Sequence, residues 1–178
     1  VETAGPAPGR FPLLEIGACV VGSADDAFSA QLRPDRDGID ATALAVSGLS
    51  IARLKAEGTA PGEAMEAFAA WIETVAAPAR PLMVGLNVAF DWLFVAEYFD
   101  RYLGRNPFGH APLDIKALAM GVDAVPWAET SWARLSARYG AGRALAHSAV
   151  EDARDQAVVA EALLSRLAER RRTGTHGR

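Results

Sequence analysis

The first half of the chain has a hydrophobic pattern that changes from strand-like to helical. Residues Leu13 to Val21 are rich in β-forming side chains and are bounded by Gly and Pro, which predicts a strand. The next segment, AFSAQLRP, alternates apolar and polar side chains and predicts the partner strand of a hairpin. From Asp40 to Glu57 the pattern becomes helical, with Gly48 as a break and Gly58 as a stop.

The middle of the chain predicts a helix, a buried strand and a second helix. Pro61 suits the first turn of an amphipathic helix, because the apolar residues that follow it recur at helical spacing. The continuous apolar run from Leu82 to Leu86 predicts a strand that is buried on both faces. Asn87 stands in a natural N-cap position for a helix that continues through Leu103 and ends at Gly104.

The remaining chain predicts shorter elements and one long helix. The segment APLDIKALAMG indicates a short strand that leads into a helix, and Thr130 or Ser131 is suited to cap the helix after it. Ser148 to about Arg172 predicts the last helix. The order of elements predicts an α/β domain with a mixed sheet, spanning residues 1–172, and a flexible tail at residues 173–178.

Composition narrows the class of protein. A chain of 178 residues with 51% hydrophobic content fits one domain, and its single cysteine, Cys19, is expected to be a buried, inert thiol. No apolar stretch approaches the roughly 18 residues that a membrane helix needs, and no signal pattern is found, so we expect a cytoplasmic protein without a membrane partner. The net charge of -4 argues against a protein that holds a long duplex through many phosphate contacts, whereas binding of short strands or ends stays open.

Acidic side chains in three separate stretches are the candidate chemistry. Asp91 lies among aromatic and aliphatic residues, where a carboxylate needs a cation, a hydrogen-bond network or a cleft. Asp152 lies in the first turn of the last helix, and the capping-box pattern that begins at Ser148 places His147 outside that helix. With Glu2, these acids could assemble a site for hard cations, which prefer oxygen ligands. Taken singly, Asp152 could merely complement the helix dipole, and His147 could be an ordinary loop residue.

Three motifs in order resemble a known family. The set Glu2-Thr3, Asn87-x-x-Phe90-Asp91 and His147-x-Ala149-x-x-Asp152 resembles the DEDDh branch of the DnaQ-like 3'-5' exonucleases, which includes proofreading exonucleases and RNase T. The resemblance covers nearly the whole chain. It implies a ribonuclease H-like mixed five-stranded sheet flanked by helices, with the first strand largely absent from this sequence.

Two positions depart from the family pattern. The family's first motif is Asp-x-Glu-Thr, and its Asp would fall immediately before Val1. Either the sequence begins within the first strand, which we favour, or it is a truncated and inactive form. A histidine that is common before the second motif is Leu86 here, which is expected to alter packing more than chemistry.

The resemblance implies a role for each matching residue. Glu2, Asp91 and Asp152 would be ligands, directly or through water, of two divalent cations, either Mg²⁺ or Mn²⁺, while zinc is not expected. His147 would be the general base that takes a proton from the attacking water. Thr3, Asn87 and Phe90 would hold the terminal nucleotide, and Leu49 would wedge against its base.

The leading hypothesis is a metal-dependent 3'-5' exonuclease that acts on single-stranded ends of DNA or RNA. One alternative is a catalytically inactive, exonuclease-like module that binds nucleic-acid ends or a protein. Another is a metal-dependent phosphodiesterase for nucleotides or very short oligonucleotides. A homodimer is consistent with the resemblance, because RNase T-like relatives often pair.

Overall fold

The chain folds into short strands and seven helices in the part that a computed structural model describes, residues 1–140 and 148–174. The strands are β1 (Glu2–Thr3), β2 (Leu13–Val20), β3 (Ser23–Gln31), β4 (Val84–Gly85) and β5 (Leu113–Asp114). The helices are α1 (Ala41–Ser47), α2 (Ile51–Glu57), α3 (Pro61–Ala76), α4 (Val88–Leu103), α5 (Ile115–Asp123), α6 (Trp132–Tyr139) and α7 (Ala149–Gly174), with a 3₁₀ turn at Trp127–Thr130. No helix within these described ranges is long and apolar enough to cross a membrane.

The strands form two small sheets. β1, β2 and β3 make an antiparallel sheet in that order, and β4 pairs with β5 in parallel. The α/β class predicted from the sequence is confirmed, as is the β2–β3 hairpin. The single five-stranded sheet is not confirmed, because the five strands of the described residues are divided between the two sheets.

The second sheet corrects one prediction. The run from Leu82 to Leu86 was expected to be a strand buried on both faces, but β4 contains only Val84 and Gly85. Leu82 is 55% exposed, so the apolar run does not lie inside a complete sheet. A run of apolar residues cannot by itself distinguish a buried strand from a cavity wall.

The main core lies between one face of the hairpin and the helices α3 and α4. Apolar spacing along both helices directs Met65, Phe68 and Phe94 into this core. Helix α4 ends as predicted at Gly104, which adopts the left-handed conformation with φ 65° that glycine tolerates best. A second core joins α5, α6 and α7, so α7 is packed along much of its length.

Tyr98 connects α4 to the hairpin through hydrogen bonds. Its hydroxyl accepts the backbone N–H of Leu13 at 2.8 Å and donates to Asp35 at 2.6 Å. Burial, followed by the hydrogen bond to Asp35, raises the pKa of Tyr98, and the same causes raise the pKa of Tyr102 to about 12. Both phenols therefore remain donors at neutral pH: both bind Asp35, and Tyr98 also bonds to β2.

Asp123 connects the carboxyl ends of α5 and α6 to α7. Its carboxylate accepts hydrogen bonds from Tyr139 at 2.6 Å and Arg138 at 2.8 Å, and Arg166 of α7 lies 3.3 Å away. Burial alone would raise the pKa of Asp123. The two hydrogen bonds and the charge of Arg166 outweigh that cost, so the pKa of Asp123 lies below its usual value.

This lowered pKa predicts how the stability of the protein depends on pH. A carboxylate with a depressed folded-state pKa stabilises the fold above its unfolded pKa of about 3.9, and that stability is lost as the pH falls through the folded pKa. We expect Asp123→Asn to lower the free energy of unfolding at pH 7 by about 1–3 kcal/mol, with the difference from wild type shrinking below about pH 4. Urea unfolding across pH measures this. Asp25→Asn, at an exposed position of β3, is the control, and an equal loss in both variants would contradict the assignment.

Candidate active site

A cavity of about 620 Å³ lies in the gap between the two sheets. Residues 16–20 of β2 line one side and residues 84–85 of β4 line the other. Side chains of α3 and α7 contribute to the wall as well. The cavity therefore lies where elements from distant parts of the sequence meet, which is typical of functional sites in α/β domains.

Acidic side chains from separate elements line this cavity. Glu2 of β1, Asp91 of α4 and Asp152 of α7 all line it. Asp91 is 26% exposed, and its Oδ1 accepts a hydrogen bond from the amino group of Val1 at 2.7 Å. A carboxylate among apolar residues needs a cation, a hydrogen-bond network or a cleft, and Asp91 lies at the wall of a cleft.

The two helical carboxylates have matching local settings. Asp91 is the fourth residue of α4, and Asp152 is the fourth residue of α7. The amino end of a helix carries partial positive charge, which favours a negative side chain there by about 0.3–1 kcal/mol. Each of these carboxylates therefore lies where a helix end favours negative charge.

The donor chemistry of the site fits hard divalent cations. Carboxylate oxygens are the ligands that Mg²⁺ and Mn²⁺ prefer, and three carboxylates line the same cavity. Within residues 1–140 and 148–174, no three His, Cys, Asp or Glu side chains are grouped tightly enough to form a complete metal centre by themselves.

Some of the other predicted site residues line the cavity, and others do not. Phe90 lines the cavity, is 39% exposed and packs against Phe94 with ring centroids 5.4 Å apart. Thr3 is buried, and its hydroxyl donates to the carbonyl of Gly5 at 2.9 Å. Of the described residues predicted to hold the nucleotide, only Phe90 is part of the cavity wall.

Leu49 lies apart from the cavity, and the prediction for His147 concerns a residue that the structure does not describe. Leu49 packs against the small apolar cluster formed by Ala4, Leu14 and Leu54, and it is not among the residues that line the cavity. Its wedge role stays a prediction. His147 lies outside the described residues, although Ala149, two positions later, begins α7 and lines the cavity.

The start of α4 corrects the predicted capping by Asn87. Asn87 occupies the N-cap position in a left-handed conformation with φ 54°, but its side chain makes no capping bond within the described part of the chain. Asp114 replaces it, because its Oδ2 accepts the N–H of Val88 at 2.9 Å. The other oxygen of Asp114 caps α5 through the N–H groups of Lys116 and Ala117. One aspartate thus fixes the start of both helices.

Two further side chains near the cavity were not singled out from the sequence. Gln156 lies one helical turn after Asp152, and its Oε1 accepts the N–H of Leu86 at 2.9 Å. Glu15 is a buried carboxylate on β2, and its Oε1 accepts the N–H of Ala149 at 3.1 Å. A charged residue inside an apolar strand requires a partner, and this signal could have identified Glu15.

Gly17 permits a very close approach of α7 to β2. A Cβ atom at this position would lie 2.1 Å from both the carbonyl carbon of Ala149 and the nitrogen of Val150. Only a glycine therefore allows the first turn of α7 to contact the strand backbone.

The far end of the cavity is apolar. It is lined by Trp71, Ile72 and Val75 of α3 and by Leu164 of α7, and Cys19 lies on the β2 side. Burial raises the pKa of the Cys19 thiol, partly opposed by the charge of Arg154. The thiol therefore stays protonated at neutral pH, which agrees with the predicted inert character, although the residue is only half-buried.

Comparisons with known proteins identify the family of this chain. The RNase T family model, described as exonuclease, matches residues 1–160. The chain is 38% identical over 173 residues to the 3'-5' DNA exonuclease Cap18 of Escherichia coli, covering 97% of this chain and 92% of that protein. Such domains generally use divalent metal ions. The extent of the family match, together with the acidic cavity, shows that the chain belongs to the exonuclease family.

Proposed function

We propose that this protein is a divalent-metal-dependent 3'-5' exonuclease of the DEDDh type that removes nucleotides from single-stranded DNA ends. One observation carries the proposal: carboxylates from β1, α4 and α7 line the same cavity. Bringing such charges together opposes folding, and a phosphodiester substrate with its cations explains why they are kept. The name of the 38% identical relative favours DNA over RNA.

Glu2, Asp91 and Asp152 would hold two Mg²⁺ or Mn²⁺ ions, directly or through water. When bound, such ions polarise the phosphate and stabilise charge on the attacking and leaving oxygens. The carboxylates of this chain orient the ions, and the helices α4 and α7 fix the positions of Asp91 and Asp152. Phe90, exposed at the cavity wall, offers an aromatic face on which a terminal base can stack.

His147 would act as the general base in this reaction. Its place in the sequence, two residues before α7 and five before Asp152, would put it at the rim of the acidic end of the cavity. A neutral imidazole is needed to accept a proton from the attacking water. Thr3 and Asn87 would contribute through the backbone of their segments, since the Thr3 hydroxyl is already bonded to Gly5.

A ligand substitution tests the site. We expect Asp152→Asn to reduce turnover of single-stranded DNA by more than about 100-fold, because losing even a supporting partner of a metal ligand costs about 10–100-fold. Degradation of 3'-labelled and 5'-labelled strands with Mg²⁺ or Mn²⁺ measures both the rate and the direction. Asp155→Asn is a matched control, because Asp155 lies on the same helix but is not part of the cavity wall. Unchanged cleavage by Asp152→Asn would mean that the site is wrong or that another nuclease contaminates the sample.

The proposed base predicts a pH dependence. Histidine has an ordinary pKa of about 6.5 and works as a base only when neutral, so we expect kcat to fall as the pH drops from about 7 to about 6. A pH–rate profile of the wild type and of His147→Gln measures this, and the variant is expected to be slow throughout and to lack the step. A wild-type profile that is flat down to about pH 5 would remove His147 from this role.

The alternative of an inactive binding module predicts a different result in the same assay. Such a module would bind single-stranded ends without shortening them at any metal concentration. A phosphodiesterase specific for nucleotides would instead cleave only the shortest members of a graded series of labelled oligonucleotides.

A further inference from the structure

Glu15 lies at the centre of a row of polar side chains that crosses the first sheet. Glu2 of β1 is its partner in register on one side, and Gln31 of β3 is its partner on the other. Side chains directly opposite each other in an antiparallel sheet point to the same face. The row therefore places Glu15 next to Glu2, which lines the acidic end of the cavity.

Both oxygens of Glu15 are already engaged. Oε1 accepts the N–H of Ala149, the first residue of α7, and Oε2 accepts the side-chain amide of Gln31 at 3.1 Å. The residue is only 6% exposed, and it is not among the residues that line the cavity. A carboxylate with these contacts is suited to orient a helix rather than to bind a cation.

We propose that Glu15 is a positioning residue that sets the first turn of α7, and with it Asp152, against Glu2. This inference rests on the proposed function, because it assigns Asp152 to the metal site. Ala149 lies three residues, about one helical turn, before Asp152. A displacement of the helix start at Ala149 therefore also displaces the Asp152 carboxylate. Gly17 lets the two backbones touch, and Glu15 then determines the orientation in which they do so.

The polarity of the row provides a specific test. In Glu15→Gln, the new amide can accept from Ala149 only if its nitrogen faces Gln31, so Gln31 must either lose this bond or flip its own amide and give up the bond from Arg53. The double variant Glu15→Gln/Gln31→Glu restores the pairing: residue 15 accepts from Ala149 and donates to residue 31. The new carboxylate at position 31 can still accept from Arg53, as Gln31 does at 2.8 Å.

Hydrogen–deuterium exchange and kinetics should depend on whether residues 15 and 31 can pair as donor and acceptor. In Glu15→Gln, we expect faster exchange in peptides that cover residues 148–155, weaker Mn²⁺ binding by titration calorimetry, and a kcat lowered by about 10–100-fold with little change in KM. The double variant should recover all of these. Gln31→Glu alone, with two carboxylates facing each other, should not improve on Glu15→Gln.

The outcomes separate positioning from simple stability. If Glu15→Gln has a lower Tm but a wild-type kcat and wild-type Mn²⁺ affinity well below that Tm, the proposal is overturned. If Glu15→Gln does not fold, the double variant decides, since a folded double variant with slow turnover also overturns it. A wild-type protein that neither binds Mn²⁺ nor degrades DNA would refute the proposed function instead, and exchange at the start of α7 would still report whether Glu15 holds that helix.

Discussion

The contact between the backbone of β2 and the first turn of α7 is the constraint on which the rest of the site depends. A helix that touches a strand at Gly17 leaves no room for water, so its free N–H groups must find partners in the protein. Glu15 accepts one of them at Ala149. The close approach of α7 therefore needs a buried acceptor for its first N–H groups. Gly17 permits the approach, and Glu15, two residues earlier on the same strand, supplies the acceptor.

The two helices that carry Asp91 and Asp152 are held in place by hydrogen bonds, by an ion pair and by apolar packing along their faces. For α4, Asp114 accepts the first N–H group and Tyr98 bonds to β2 and to Asp35. For α7, Gln156 bonds to Leu86 and Arg166 approaches Asp123. Apolar contacts contribute most of the stability but have little directionality, whereas hydrogen bonds of defined length fix the rotation and register of each helix.

Periodic patterns explain how much of the fold could be predicted. The apolar spacing of α3 and α4, with Pro61 before and Gly104 after, located both helices because each signal depends on nearby residues. Partners that are distant in the sequence leave no such signal. Asp114 caps a helix that begins 26 residues earlier, and Glu15 binds a residue 134 positions later. The candidate acids were visible in the sequence and in the family resemblance, whereas residues such as Asp114 and Gln156, which bind their partners across the fold, were found only in three dimensions.

The placement of Asp91 and Asp152 argues that the site is prepared before any ion binds. Each carboxylate is the fourth residue of its helix, where the helix dipole favours the charged form. Glu2 lacks this help, because it lies on a two-residue strand opposite a second glutamate. The proposed site thus combines two carboxylates at the amino ends of helices with a third that the pairing of β1 with β2 holds in place.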